Sequence, residues 1–423
     1  MSISRRKILT GAAAATALGS LATDRLASAG QAPADLPAPE QSGIDHVVVV
    51  MMENRSFDHY LGWLPGADGK QAGLTYADRY GVARSTHHLQ TTQGCGNADP
   101  DHSFEGGRIE YNNGKCDGWL RAGSNDEFAI GYYLPEDLAF YAKAAPSWTV
   151  CDRYFSAIMA ETYPNRFYQH SAQTDRIHNS TATATIPTVW DRLADAGLRG
   201  RYYYHDVPFT ALWGTKYLGI SHPYGEFVTD CASGNLPEVS FVDPKFLDED
   251  SGTSADDHPH ADIRAGQYFL SQVYKAVTTS PAWERTLLVI NYDEWGGFFD
   301  HVPPTTAPDA HPDWGLRGFR VPCMVISPRA RRGHVAHGVY DHASVLKAIQ
   351  WRWNLPALTP RDSAANNLAE VLDFTNPPNL TAPQWPVAPF TGLPCPPGAL
   401  ADFEQWTALR DMAISHGWKL PSA

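Results

Sequence analysis

The chain has 423 residues and a net charge of −13, with 46 acidic against 33 basic side chains; 43% of residues are hydrophobic. That acid excess argues against nucleic acid as a partner and against bulk attraction to acidic membranes, while leaving a zwitterionic headgroup open. The length suits one large domain or two small ones.

In chain order, the first feature is a leader. Arg5 and Arg6 in SRRKILT precede an apolar stretch from Ile8 to about Ala22, and ASA at 27–29 follows as a small-x-small cleavage pattern. Residues 1–29 read as a twin-arginine-type signal peptide, too short and too rich in Ala and Gly for a membrane-spanning helix. The expected destination is extracellular or cell-wall associated, reached through the twin-arginine export machinery. Residues 30–42 form a Pro-rich linker, and 43–375 form the main domain. Residues 376–423 form a Pro-rich wrap followed by a terminal helix, ALADFEQWTALRDMAISHG, with a packing role only.

Five short apolar runs read as buried strands: HVVVVMM (46–52), RYYYH (201–205), VSFVD (239–243), TLLVINY (286–292) and VPCMVIS (321–327). IPTVWDRLADAGL (186–198), ADIRAGQYFLSQVYKAVTTS (261–280) and DHASVLKAIQWRW (341–353) carry helical spacing, the last with Asp341 as N-cap. Such alternation predicts an α/β domain with a mostly parallel central sheet flanked by helices. Residues 91 to 120, rich in Gly, Asn and Asp, read as a long ordered loop. Cysteines 95, 116, 151, 231, 323 and 395 include no CxxC pair, and Cys95 with Cys116 is the favoured bridge because both flank that loop.

Two strands end alike. MMENRSF stops in Glu53 and Asn54, and LLVINYDEWGG stops in Asp293 and Glu294 before Gly296 and Gly297. Ligands of an open parallel sheet bind beyond the carboxyl ends of its strands, so these ends would gather three carboxylates and a carboxamide. Clustered carboxylates repel, and a divalent cation relieves the repulsion; oxygen donors suit calcium, or zinc with carboxylates. Either pair alone would read as capping acids, and the repetition favours one bound metal.

In MAETYPNRFY, Pro164 follows closely on Thr162 and places the Thr162 hydroxyl at a helix N-cap, itself a phosphate-binding position. A metal beside it would turn the hydroxyl into a nucleophile. His102, His258, His301 and His342 each follow an Asp, and imidazoles can stabilise a five-coordinate phosphoryl centre or protonate a leaving oxygen. His170 and His260 rank lower. Arg329, Arg331 and Arg332 in SPRARRGHV read as a solvated basic loop. The 13 Trp, 19 Tyr and 17 Phe suffice for an aromatic choline cage, although no spacing marks one.

The segments MMENRSFDHYLG, DPDHSFEGG, NNGKCDGW, TYPNRFY, DHP, YDEWGGFFDHVPPT, VPCMVISPRARRGHV and YDHASVLKAIQWRW occur in that order. Together they resemble the bacterial phosphoesterase family of non-haemolytic phosphatidylcholine phospholipases C and related acid phosphatases, over about residues 43–375. The resemblance implies an alkaline-phosphatase-like α/β sandwich. It implies that Glu53, Asn54, Asp293, Glu294 and the Thr162 hydroxyl hold one divalent metal, and that Thr162 is the nucleophile. It places His102, His258 and His342 on the transferring phosphoryl group, and Asn54, Arg166 and His301 in substrate binding, with His301 orienting a ligand.

The implied activity is hydrolysis of phosphatidylcholine-type phosphodiesters through a phosphothreonine intermediate. Acid phosphatase action on monoesters is the alternative, and a secreted metal- or phosphate-binding protein without turnover is the third reading. The implied partner is a phospholipid or small phosphoester, met during transient membrane-surface contact. Two departures from the family stand out: the chain ends before the extra C-terminal region of membrane-active relatives, and Cys116 replaces a common Met. TYPNR also resembles the C/S-x-P-x-R pattern of sulfatases, but Thr cannot become their formylglycine.

Overall fold

Four consecutive valines open the first strand, and β-branched side chains favour extended backbone and fill a sheet that is covered on both faces. The structure is a computed structural model that describes residues 36–249, 251–396 and 405–421. The expected signal peptide and the first six residues of the linker, residues 1–35, lie outside the described residues. An eight-stranded sheet organises the chain: β1 (His46–Met52), β2 (Thr149–Cys151), β3 (Gly200–Tyr204), β4 (Ser221–Pro223), β5 (Val239–Val242), β6 (Thr286–Tyr292), β7 (Cys323–Ile326) and β8 (His334–Ala336), in the order β8-β2-β7-β6-β1-β5-β3-β4. Pairing is parallel except where β7 runs against β6 and β2. Val47 to Met52 and the whole of β6 are buried, so both faces of the sheet's centre are covered. The α/β, mostly parallel expectation is met. Short strands β2, β4 and β8 went unread because three residues are too few to display a period.

Among the helices are α1 (Phe104–Tyr111), α2 (Thr162–Ser171), α3 (Val189–Asp195), α4 (Ile263–Thr278), α5 (His342–Trp353) and α6 (Gln405–Ser415). Asp341 caps α5 as expected, its carboxylate accepting from Ala343 N at 2.9 Å while Ser344 Oγ accepts from Asp341 N. Helix α1 corrects the reading of 91–120 as loop throughout. Its two central glycines argue against a helix by propensity, but Gly107 is there for close packing: a Cβ would lie 2.7 Å from Met159 Cγ and 2.8 Å from Trp295. Among the described residues no helix is long and apolar enough to cross a membrane.

The tail follows the surface, and the basic loop pins it. Arg329 donates to Asn376 O at 2.9 Å, and Arg332 donates to Asn379 O and Thr381 O at 3.0 and 2.7 Å. The disulfide joins Cys95 to Cys395, 300 residues apart, and not to Cys116, which is buried and free. Chain reversal by the Pro-rich tail, with Cys395 N bonded to Ser251 O at 2.6 Å, makes this pairing, and no local spacing could reveal it. A Cys95→Ser/Cys395→Ser variant should lose about 2–4 kcal/mol of stability and shed its tail earlier in limited proteolysis. Unchanged urea unfolding and cleavage patterns would refute that role.

Candidate functional site

Register builds the site. Strands β1 and β6 lie side by side with Met52 opposite Tyr292, so Glu53–Asn54 emerge beside Asp293–Glu294 at the same end of the sheet. Asn54 turns into the left-handed region at φ 59, and its N–H donates to Asp293 Oδ1 at 3.1 Å. Across from it Gly296, at φ 63, passes so close that a Cβ would sit 2.1 Å from Asn54 O. Only glycine permits both that conformation and that approach.

Thr162 arrives from the start of α2, fully buried, with its hydroxyl donating to Asn54 Oδ1 at 3.4 Å. It is the first helical residue, and Glu161 holds the N-cap position expected for Thr162. Glu161 is held outside the helix because its carboxylate accepts from the Asn179 N–H and from His178. His102 Nε2 lies 3.4 Å from Asn54 Nδ2, and its Nδ1 faces Pro100 O at 2.8 Å. Asp99, His102 and His258 form a cluster whose ligating atoms lie within 4.8 Å of one another.

The structure thus gathers Glu53, Asn54, Thr162, Asp293, Glu294, His102 and His258, and treats three other expected residues differently. His342 is buried with both ring nitrogens engaged inside the protein, Nε2 with Asp293 O at 2.7 Å and Nδ1 with Tyr154 Oη at 3.1 Å; it braces the Asp293 backbone instead of facing a phosphoryl group. Arg166 is 2% exposed and lies among carboxylates, 3.3 Å from Asp293, 3.5 Å from Asp243 and 3.9 Å from Glu53, as an internal counter-ion and not a substrate contact. His301 pairs with Asp58 at 2.5 Å and Asp68 at 3.2 Å, in a separate cluster around Arg320. His170 is a core residue accepting from Trp190 Nε1.

Electrostatics separate the two histidines. Burial pulls His102 down, but the carboxylates of Glu294 and Asp99 outweigh it and lift the imidazole to about 10. Burial, with His102 beside it, pushes His258 well below its usual value. The two imidazoles are thus driven in opposite directions, a division suited to acid and base roles. Burial raises Asp293 to about 6, with Arg166 opposing, and raises Glu53 and Glu294 well above the usual range. These carboxylates resist ionising in the absence of a cation. Glu53 Oε2, Asp293 Oδ2 and Glu294 Oε1 are buried and accept no hydrogen bond, so the donor set fits a divalent metal.

Sequence reasoning missed part of this surrounding. Glu53 converges with Glu249 and Asp256, all three buried, their oxygens within 4.8 Å. Glu249 and Asp256 stand in the acidic run before His258, which was the available signal. Asp99, three residues before His102, was legible in the same way. Beyond these residues a cleft of about 780 Å³ opens, lined by Asp101, His102, Glu161, Tyr163, His178 and Gln405 among others.

Next to the site, Asp257 predicts a pH effect. Burial raises its carboxyl to about 7 against an ordinary 3.8, with the Tyr292 hydroxyl bond and the Arg55 charge opposing. The folded state holds this proton more tightly than the unfolded chain does. Its stabilising contribution is therefore complete below about pH 4 and is lost as pH rises through about 7. Asp257→Asn keeps the shape and tolerates the residue's φ of 78. The variant should flatten that decline in urea midpoints measured from pH 4 to 8, and an unchanged slope would contradict the assignment.

Residues 44–356 match the model of the Phosphoesterase family. Phospholipase C B of Mycobacterium tuberculosis is 32% identical over 501 aligned positions, covering 96% of this chain and 93% of that protein. Non-specific phospholipase C1 of Arabidopsis thaliana is 31% identical over 396, covering 82% and 74%. Among solved structures, a Vibrio parahaemolyticus protein of the alkaline phosphatase superfamily superposes with a TM-score of 0.40 at 9% identity, covering 79% of this chain and 71% of that one. The strand ends, the buried threonine and the paired imidazoles thus lie within a matched span of 313 residues (356 − 44 + 1), and the chain belongs to the phosphoesterase family, as a hydrolase of ester bonds.

Proposed function

We propose that the protein is an exported, metal-dependent phospholipase C-type enzyme that cuts phosphatidylcholine-type phosphodiesters through a phosphothreonine intermediate. The observation that carries this reading is the Thr162 hydroxyl, buried at the start of α2 and bonded to Asn54 between the two acidic strand ends. Glu53, Asn54, Thr162, Asp293 and Glu294 would hold one divalent cation, which supplies Lewis acidity that lowers the hydroxyl pKa and bears phosphoryl charge.

The protein's own groups do the rest. Thr162 Oγ1 forms the bond to phosphorus as the bond to the leaving oxygen breaks, its proton passing to water in the cleft. His102, held cationic by Glu294 and Asp99, protonates the leaving alcohol. Neutral His258 then accepts a proton from the water whose oxygen bonds to phosphorus as the Thr162 Oγ1–P bond breaks, and Oγ1 regains its proton from cleft water. Asp101 and Glu161 in the cleft wall repel a dianion and favour a diester monoanion bearing a cationic headgroup. Tyr163 is the one Phe, Tyr or Trp among the described residues that line the cleft, and the acidic side chains there supply counter-charge for that headgroup. A phosphomonoester remains the second reading, since cationic His102 would also serve it.

The test is a phosphoester panel run before and after chelation and with metal add-back. Phosphatidylcholine cleavage should vanish on chelation and return with a divalent metal, with kcat/KM well above that for p-nitrophenyl phosphate. A higher kcat/KM for the monoester selects the second reading, and a metal-retaining chain that hydrolyses nothing sinks both. The expected export is checked by cell fractionation of Arg5→Lys/Arg6→Lys, which should stay in the cytoplasm.

A further inference from the structure

The C-terminal helix, expected only to pack, sends polar side chains into the site. It lies beyond residue 356, where the family match ends. At its start, Gln405 Nε2 lies 3.2 Å from Thr162 Oγ1, 243 residues away in sequence, and 3.4 Å from Glu53 Oε1. The Gln405 backbone is fixed by the residue next to the threonine, since Tyr163 Oη donates to Gln405 O at 2.9 Å. Gln405 also lines the cleft, so its amide reaches both the hydroxyl and the space a substrate would enter.

Trp406 is fully buried, stacked on Phe246 at 3.8 Å and 5°, and donates Nε1–H to Glu53 Oε1 at 3.2 Å. A helix that merely covered the core would bury apolar atoms and leave its amide in water. Here an amide and an indole N–H converge on the two groups with the most chemistry to do. Upstream, the Cys95–Cys395 bridge ties the same tail to the loop that carries His102.

We propose that Gln405 is a further catalytic residue and that Trp406 is a positioning residue for Glu53, an inference that rests on Thr162 being the nucleophile. As the hydroxyl loses its proton to water and forms the bond to phosphorus, the Gln405 amide N–H donates to the same oxygen. A neutral donor stabilises the developing negative charge without adding a cation that would compete with the metal. Trp406 holds one oxygen of Glu53, leaving Oε2 directed elsewhere, as donors behind metal-binding carboxylates do.

Gln405→Ala in the full chain should lower kcat on p-nitrophenyl phosphorylcholine by about 10- to 100-fold with KM within about threefold, at unchanged melting temperature. Gln405→Glu keeps the shape, cannot donate and should fall further. Trp406→Phe keeps the stacking and should weaken the divalent metal about tenfold in chelator competition with zinc or calcium alone. Wild-type kcat in either Gln405 variant, while Thr162→Ala is inactive, overturns the role of Gln405 alone. Unchanged metal affinity in Trp406→Phe overturns that of Trp406. An inactive wild-type chain, or an active Thr162→Ala, brings down this inference and the phosphothreonine reading together.

Discussion

Thr162→Ala should lower kcat by at least about a thousandfold on any phosphoester the wild-type protein cleaves. Thr162→Ser should keep a substantial part of the rate. The physical reason is that the hydroxyl is the atom that bonds to phosphorus, and Ser restores that atom where Ala does not. Folding is not the obstacle: the substitution removes one hydroxyl and one methyl group at the first residue of α2, whose N-cap is the neighbouring Glu161. Rapid acid quenching of wild-type turnover should trap the transferred group on Thr162, phosphorylcholine from phosphatidylcholine or phosphate from a monoester, located by peptide mass. Near wild-type kcat in Thr162→Ala, or the transferred group trapped on another side chain, removes Thr162 from the mechanism.

Arg166→Met should destabilise the chelated protein by about 3–5 kcal/mol at pH 8, the cost of breaking a buried charge network. The guanidinium lies 3.3 Å from Asp293, 3.5 Å from Asp243 and 3.9 Å from Glu53, all almost fully buried, and donates to the carbonyls of Met51 and Met52 at 3.3 and 3.4 Å. Removing it leaves the carboxylates facing one another with no cation among them. The loss should shrink at pH 5, because burial has already raised Asp243 and Asp293 to about 6 and protonation relieves the repulsion. Added divalent metal should also recover part of it. A substrate-binding arginine would behave differently, raising KM with little change in stability. Urea unfolding at the two pH values distinguishes the roles, and equal stability of variant and wild type at pH 8 excludes the counter-ion assignment.

The histidines mark where local pattern reached its limit. All four stood after an Asp in sequence, yet they divide three ways in space. His102 and His258 share a cluster with Asp99, His342 spends both nitrogens on Asp293 O and Tyr154, and His301 joins Arg320 and two aspartates. A residue type with a carboxylate neighbour specifies chemistry but not direction. Direction follows from which strand end or helix face carries the ring, and that depends on packing among segments far apart in the chain.

Certain features followed from sequence alone. Short apolar runs alternating with helical spacing, two of them ending in oxygen-donor pairs, encoded the parallel sheet and the meeting of Glu53–Asn54 with Asp293–Glu294, because adjacent parallel strands in register must end together. Ordered motifs carried the family. Only the tertiary structure turned Arg166 inward, paired Cys95 with Cys395 and brought Gln405 and Trp406 onto Glu53. These contacts join residues separated by 77 to 353 positions. No local propensity or spacing encodes them, since they exist only once the core has fixed where the tail can lie.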